Sequence, residues 1–235
     1  MPPSVLVKWA LRRGHPGLVP HSHGTQTGPM AAPTDPASDS AEWDERYGAA
    51  DQVWSGEPNA ALVAETAGLE PGRALDVGCG EGADAVWLAR RGWEVTGLDV
   101  SRVALDRAQR LARDAGVQVG WVQAALVEAA LPAGVFDLVS AQYPALRKTP
   151  GAVAERTLLD LVAPGGTLLV VHHAIDPEHH HEDDFDPTLY VLPADVRALL
   201  GEGWTVEVDE RRPRAVSRGA GAHHVQDVVL RAQRG

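Results

Sequence analysis

Residues 74–82 read Ala74-Leu75-Asp76-Val77-Gly78-Cys79-Gly80-Glu81-Gly82. An apolar run that ends in three alternating glycines predicts a buried strand whose backbone then bends tightly and lets a ligand approach closely. The stretch after it, residues 83–91, has helical patterning, so the free amides of its first turn would point at that ligand. A second apolar run closes on Asp99, nineteen positions after Gly80. A carboxylate there can accept both hydroxyl hydrogens of an adenosine ribose, as in nucleotide-binding βαβ units.

Outward from this pair the pattern stays regular. Strands are expected over 73–78, 94–99, 117–123, 136–141 and 167–171, with helices over 83–91, 101–115, from about 151, and 194–200. Such alternation indicates parallel strands joined by crossover helices. In the helix after Ser101, that hydroxyl can cap free amides, while Ala104, Ala108, Leu111 and Ala115 recur at helical spacing to cover a sheet. Arg102, Asp106 and Arg113 take the other side. A turn at Ala163-Pro164-Gly165-Gly166 introduces the fifth strand. The runs 205–209 and 225–231 have no helix between them and should pair antiparallel. The expected fold is α/β: a doubly wound, Rossmann-like, seven-stranded sheet with an antiparallel final strand. Ahead of it, short helices are expected over 41–47 and 58–67. Residues 1–38 are rich in Pro, Gly, Ser, Thr and His without apolar periodicity, which predicts a disordered extension before a single domain over 39–235. Met30 is an alternative start.

The composition narrows the function. The chain has 235 residues and a formal charge of -11. That charge disfavours a nucleic-acid partner, whose phosphates are held by Lys and Arg. No apolar run approaches the roughly 20 residues of a membrane span, and no secretory cleavage pattern follows the short apolar stretch near the start. Cys79 is the only cysteine, so no internal disulfide or cysteine zinc site can form. A cytoplasmic protein, monomeric or homodimeric, is the expectation.

The glycine motif alone is ambiguous, because Gly78, Gly80 and Ala83 also satisfy the dinucleotide fingerprint G-x-G-x-x-G/A. A nicotinamide or flavin enzyme therefore stands as a rival. Asp76 before the glycines, the extra glycine at 82 and the antiparallel terminal strands favour a methyl donor instead. The ordered series of residues 74–82, then Val95-Thr96-Gly97-Leu98-Asp99-Val100-Ser101, then Phe136-Asp137-Leu138-Val139, then Ala163-Pro164-Gly165-Gly166-Thr167-Leu168 resembles the motifs of class I S-adenosylmethionine-dependent methyltransferases. Trp43-Asp44-Glu45-Arg46-Tyr47 with Trp54 is similar to the amino-terminal cap of their tellurite-resistance and thiopurine methyltransferase-like group. The resemblance implies S-adenosyl-L-methionine as cofactor. It places Gly78, Cys79, Gly80 and Gly82 along the methionine moiety, with Asp76 orienting the loop or meeting the donor's amino group. Asp99 would hold the ribose, Val100, Ala125 and Leu126 the adenine, and Gln142 and Trp54 the remaining walls. Many family members carry an acidic residue near position 125; alanine here leaves room for a weakened or non-catalytic donor-binding protein.

Methyl transfer from a sulfonium needs alignment and exclusion of water more than covalent help. Acceptor residues are expected at strand carboxyl ends: Tyr143 after the fourth strand and His172-His173 after the fifth, with His223-His224 arriving from the terminal hairpin. A neutral histidine can take a proton from a hydroxyl or thiol of a small-molecule acceptor. Equally, one of two adjacent histidines can pack while the other meets solvent. The tract His179-His180-His181-Glu182-Asp183-Asp184 reads as a solvated loop or a lid, Cys79 as a packing residue, and no metal site is expected. Trp93, Trp121 and Trp204 are expected on strand faces.

Overall fold

The computed structural model describes residues 36–175, 189–214, 219–220 and 224–235. At its centre lies β1 (Arg73–Val77), of which only the first residue is exposed. A strand buried on both faces calls for a nearly continuous apolar run, here Ala74, Leu75 and Val77 interrupted by the buried acid Asp76. It pairs in parallel with β2 (Glu94–Asp99) on one side and β4 (Phe136–Gln142) on the other. β3 (Gly120–Gln123) flanks β2, and β5 (Val162–His173) flanks β4, both in parallel. β7 (Gln226–Arg234) enters antiparallel between β5 and β6 (Trp204–Pro213). The sheet order is β3-β2-β1-β4-β5-β7-β6, the doubly wound, seven-stranded arrangement expected.

Helices cover both faces: α1 (Pro36–Gly48), α2 (Ala60–Thr66), α3 (Ala83–Arg90), α4 (Arg102–Asp114), α5 (Val153–Leu161, entered through a short 3-10 turn at Pro150–Ala152) and α6 (Pro193–Arg197). Alternation along β5 separates two cores. Leu168 and Val170 face Leu158 and Leu161 of α5, while Leu169 and Val171 face the cluster holding Leu62 of α2 and Leu88 of α3. Each such leucine, wholly buried, contributes roughly 1.5–3 kcal/mol relative to exposure.

Four local expectations are corrected. Leu111 is 37% exposed; the buried stripe of α4 is Ala104, Ala108 and Ala112, spaced four apart, with Leu105 beside it, and the 3.6-residue period turns position 111 to the side. β5 begins at Val162, before the glycines, because Val162 already pairs with Phe136 and the slip between Phe136 and Leu138 absorbs the extra residues. Trp93 precedes β2 as a buried residue of the turn that enters it. The helix beginning at Pro36 starts ahead of residue 39 and contains the stretch 41–47. No helix among the described residues is long and apolar enough to cross a membrane.

Candidate active site

A cavity of about 1690 Å³ lies at the carboxyl ends of the strands, lined by the glycine loop, α1 and the loop after it, the ends of β4 and β5, and the tips of β6 and β7. Pockets for one small ligand usually occupy about 300–1,000 Å³, so this one has room for two.

The loop after β1 is folded back onto β2. The amides of Gly78 and Cys79 both donate to the carbonyl of Leu98, at 2.8 and 3.0 Å, and that of Gly80 donates to Asp99 Oδ2 at 2.8 Å. Gly78 has φ +69 with only Pro144 atoms near its Cβ position, at 3.7 Å and beyond, so left-handed backbone is its reason for being glycine. Gly82, with φ +84, is doubly constrained: a Cβ would lie 2.7 Å from that of Ala108 and 3.1 Å from the Trp121 ring. The extra glycine thus lets α4 and β3 close on the loop. Cys79 packs in the same layer, where burial, reinforced by Asp76 and Asp99, pushes its thiol well up and leaves it protonated.

Asp99 is 8% exposed. Besides Gly80, it accepts the Ser101 amide on Oδ1 at 2.8 Å; burial raises its pKa against the pull of these amides. A carboxylate offers about four lone-pair sites, more than the amides of Ser101, Gly80 and Val100 occupy, which leaves room for a ligand hydroxyl. Ser101 caps α4 at the Ala104 amide as expected and donates to Asp44 of α1 at 2.6 Å. Beside it, Val100 and Leu126 line the cavity together with Ala124. Ala125 does not: its carbonyl is taken by the amides of Glu128 and Ala129, and its neighbours form the wall in its place.

Deeper in, Asp76 is 2% exposed and its Oδ2 has no hydrogen-bond partner among the described residues. Burial, then the charges of Asp84 and Asp99, push its pKa well above the usual carboxylate range. Asp84 is better served, accepting the amide and the side-chain nitrogen of Asn59, both at 2.7 Å. On the adjoining strand β4, Gln142 donates to Ser140 at 3.0 Å, while its Oε1 is likewise buried without a partner. Asp76 and Ser140 are register neighbours. Two orphaned acceptors on neighbouring strands thus belong to residues that line the cavity, and each is open to a ligand donor.

The cap lies directly above. Trp54 Nε1 donates to the Tyr47 hydroxyl at 2.8 Å, and a Cβ on Gly80 would come within 2.8 and 3.2 Å of those two atoms. Burial raises the Tyr47 pKa, so its hydroxyl stays protonated. At the acceptor end, Tyr143 holds φ +51, a strained conformation that surrounding contacts must enforce. Its hydroxyl donates to Asp227 at 2.8 Å, Arg214 lies 4.9 Å over its ring, and the ring stacks on His173 at 4.4 Å. His173 in turn stacks on His224 at 3.9 Å and brings Nδ1 to 3.5 Å from Asp227. Burial, then Asp227, raise the Tyr143 pKa, which makes that residue a poor base. His172 is 7% exposed and faces the cavity. Burial lowers its pKa, and Nδ1, 3.3 Å from the carbonyl oxygen of His173, is the donor atom, so Nε2 carries the lone pair.

The site therefore gathers Asp76, Gly78, Cys79, Gly80, Gly82, Asp99, Val100, Leu126, Gln142, Trp54, Tyr143, His172 and His173 around one cavity. Sequence reasoning missed Asp227, Arg214, Glu81 and Arg107. His223 and the tract 179–184 lie outside the described residues. Among those described, no group of three or more His, Cys, Asp or Glu could hold a metal ion.

A seven-stranded sheet with β7 inverted, a glycine loop and a buried acid at the end of β2 define a doubly wound, Rossmann-like α/β domain. Residues 74–166 match the family of methyltransferase domains. An uncharacterised methyltransferase of Mycobacterium tuberculosis is 41% identical over 97 residues, covering 41% of this chain and 48% of that protein. The ubiquinone biosynthesis O-methyltransferase of Escherichia coli O157:H7 is 40% identical over 108 residues, covering 45% of each. Among solved structures, one described by the conversion of a disulfide bond into a thioacetal group during echinomycin biosynthesis superposes with a TM-score of 0.66. It is 27% identical and covers 83% of this chain and 91% of its own. The match over residues 74–166 and the shared fold support a class I S-adenosylmethionine-dependent methyltransferase domain, and the chain spans about half the length of the curated relatives it matches.

Proposed function

We propose that this chain transfers a methyl group in line to a hydroxyl or thiol of a small molecule. The observation that carries the reading is the pair of orphaned acceptors, Asp76 Oδ2 and Gln142 Oε1, beside the glycine loop. A pyrophosphate would meet repulsion there, whereas the ammonium of S-adenosylmethionine would be held. When bound, that cofactor supplies a methyl group already activated by its sulfonium. Asp99 would accept the ribose hydroxyls, and Val100, Ala124 and Leu126 would pack on the base.

The remaining chemistry belongs to the acceptor end. Neutral His172 is the proton acceptor, its Nε2 lone pair turned away from the Nδ1 contact with the His173 carbonyl. Tyr143 and His173 form the wall against which an acceptor is oriented, held by Asp227 and Arg214. As the new bond forms, the acceptor's proton passes to His172, so the positive charge lost from sulfur reappears on the imidazole. The O-methyltransferase named among the relatives is in keeping with a hydroxyl acceptor.

The test is release of S-adenosylhomocysteine from S-adenosylmethionine across a panel of small phenols, alcohols and thiols. Turnover with at least one, falling roughly 10²–10⁴-fold in His172→Ala, is expected. Tight donor binding with no turnover on any acceptor would overturn the transferase reading, and full activity in His172→Ala would remove the base.

A further inference from the structure

Between α1 and α2 the chain runs for eleven residues, 49–59, without regular structure. This strap carries Trp54 over the glycine loop and is fixed from several sides. Glu81, the residue between Gly80 and Gly82, accepts the Val53 amide at 3.2 Å and the Trp54 amide at 3.0 Å. Arg107 of α4 donates to Glu81 Oε1 at 2.7 Å, and with its other terminal nitrogen to the carbonyls of Tyr47 and Ala50. Asp84 holds Asn59 at the far end. From the opposite side the tip between β6 and β7 closes on the same segment: the Ala220 amide donates to the Val53 carbonyl at 3.0 Å, and a Cβ on Gly219 would sit 2.6 Å from the Ser55 nitrogen.

The Glu81 and Arg107 side chains are 12% and 17% exposed, so the pair is screened little by solvent. It satisfies two strap amides, one strap carbonyl and the Tyr47 carbonyl at the end of α1 together. Tyr47 and Trp54, the side chains poised against Gly80, are placed by the same bonds. A donor lying along the glycine loop is bounded below by Gly80 and above by this strap, and can leave on that side only when the strap lifts.

Resting on the proposed donor site, we infer that Glu81 and Arg107 are positioning residues that latch the 49–59 strap over the cofactor and set the rate at which donor and demethylated product exchange. The latch acts on the barrier more than on the bound state, because neither side chain is required to touch the ligand. Breaking it speeds entry and exit together, and the equilibrium constant moves less than either rate. A residue that merely lined the pocket would slow nothing on entry, and its loss would appear in dissociation alone.

Stopped-flow measurement of S-adenosylhomocysteine association and dissociation, with the full chain, distinguishes these. Glu81→Gln keeps shape and amide acceptance but loses the charge; Arg107→Ala removes the bridge. Arg102→Ala, in an exposed pair with Asp106 on the same helix, is the control. In folded variants, checked by circular dichroism and thermal melting, both latch changes should raise the dissociation rate at least tenfold and the association rate severalfold, with Arg102→Ala unchanged. If Arg107→Ala does not fold, Glu81→Gln alone decides. Unchanged exchange, or faster dissociation with unaltered association, overturns the latch while leaving the donor site intact. A wild-type protein that does not bind S-adenosylhomocysteine overturns the donor site and the latch with it.

Discussion

Replacing Asp76 by asparagine should stabilise the free protein and weaken it as a binder, two effects of opposite sign from one nearly isosteric change. In the folded chain the Asp76 pKa is raised by burial and by Asp84 and Asp99. The group therefore favours folding fully below its ordinary value of 3.8, and that contribution is lost as pH rises through the folded value. At pH 7 the orphaned oxygen costs about 1–3 kcal/mol. Asparagine removes the charge and keeps the acceptor toward the Ala85 amide, so Asp76→Asn should melt several degrees higher at pH 7, at roughly 2–4 °C per kcal/mol for a domain of this size. Below pH 4 the two proteins should converge. A hydrogen bond between carboxylate and ligand ammonium contributes about 1.5–3 kcal/mol, so the same variant should bind S-adenosylmethionine roughly 10- to 150-fold more weakly. A variant that is less stable at pH 7, or that binds the donor as tightly as the wild type, would refute the assignment.

Other perturbations separate packing from chemistry. Gly82→Ala should cost about 1–3 kcal/mol in urea unfolding, since its Cβ meets Ala108 at 2.7 Å with φ at +84; Gly134→Ala, with φ +67 but open space, should cost less. Tyr143→Phe should lower stability by about 1–3 kcal/mol by depriving buried Asp227 of its hydroxyl partner, with donor affinity unchanged in calorimetry. His172, lowered by burial, should titrate below its ordinary 6.5 in nuclear magnetic resonance. Its contribution to stability is present above that value and lost as pH falls through the folded pKa, and the acid limb of activity should lie there too.

What could be read in advance follows the range of the interactions. The β1–α3–β2–α4 half is built from local signals: apolar runs, glycines with a conformational or packing need, and Ser101 at a helix start. Asp99 and Asp76 are visible because each sits at a fixed offset from those glycines. By contrast, Asp227 reaches Tyr143 only through the antiparallel register that sets His173 opposite Asp227, and Arg107 reaches Glu81 across 26 positions. Nothing local marks either pair. Leu111 illustrates the limit of periodicity, since i, i+4 and i, i+3 neighbours fit the same spacing and only tertiary packing, such as that of Ala108 against Gly82, decides which are buried. Gly82 itself was legible as a glycine but not for its reason, which is the approach of α4 and β3.

The central claim is that the cavity above residues 78–82 is built for S-adenosylmethionine. Calorimetric titration of the full chain with S-adenosylhomocysteine, in parallel with Asp99→Ala and with NADH, tests it most directly. Saturable one-to-one binding of S-adenosylhomocysteine, strongly weakened in Asp99→Ala and absent for NADH, is predicted. Binding of NADH in its place, or S-adenosylhomocysteine affinity indifferent to Asp99, would contradict it.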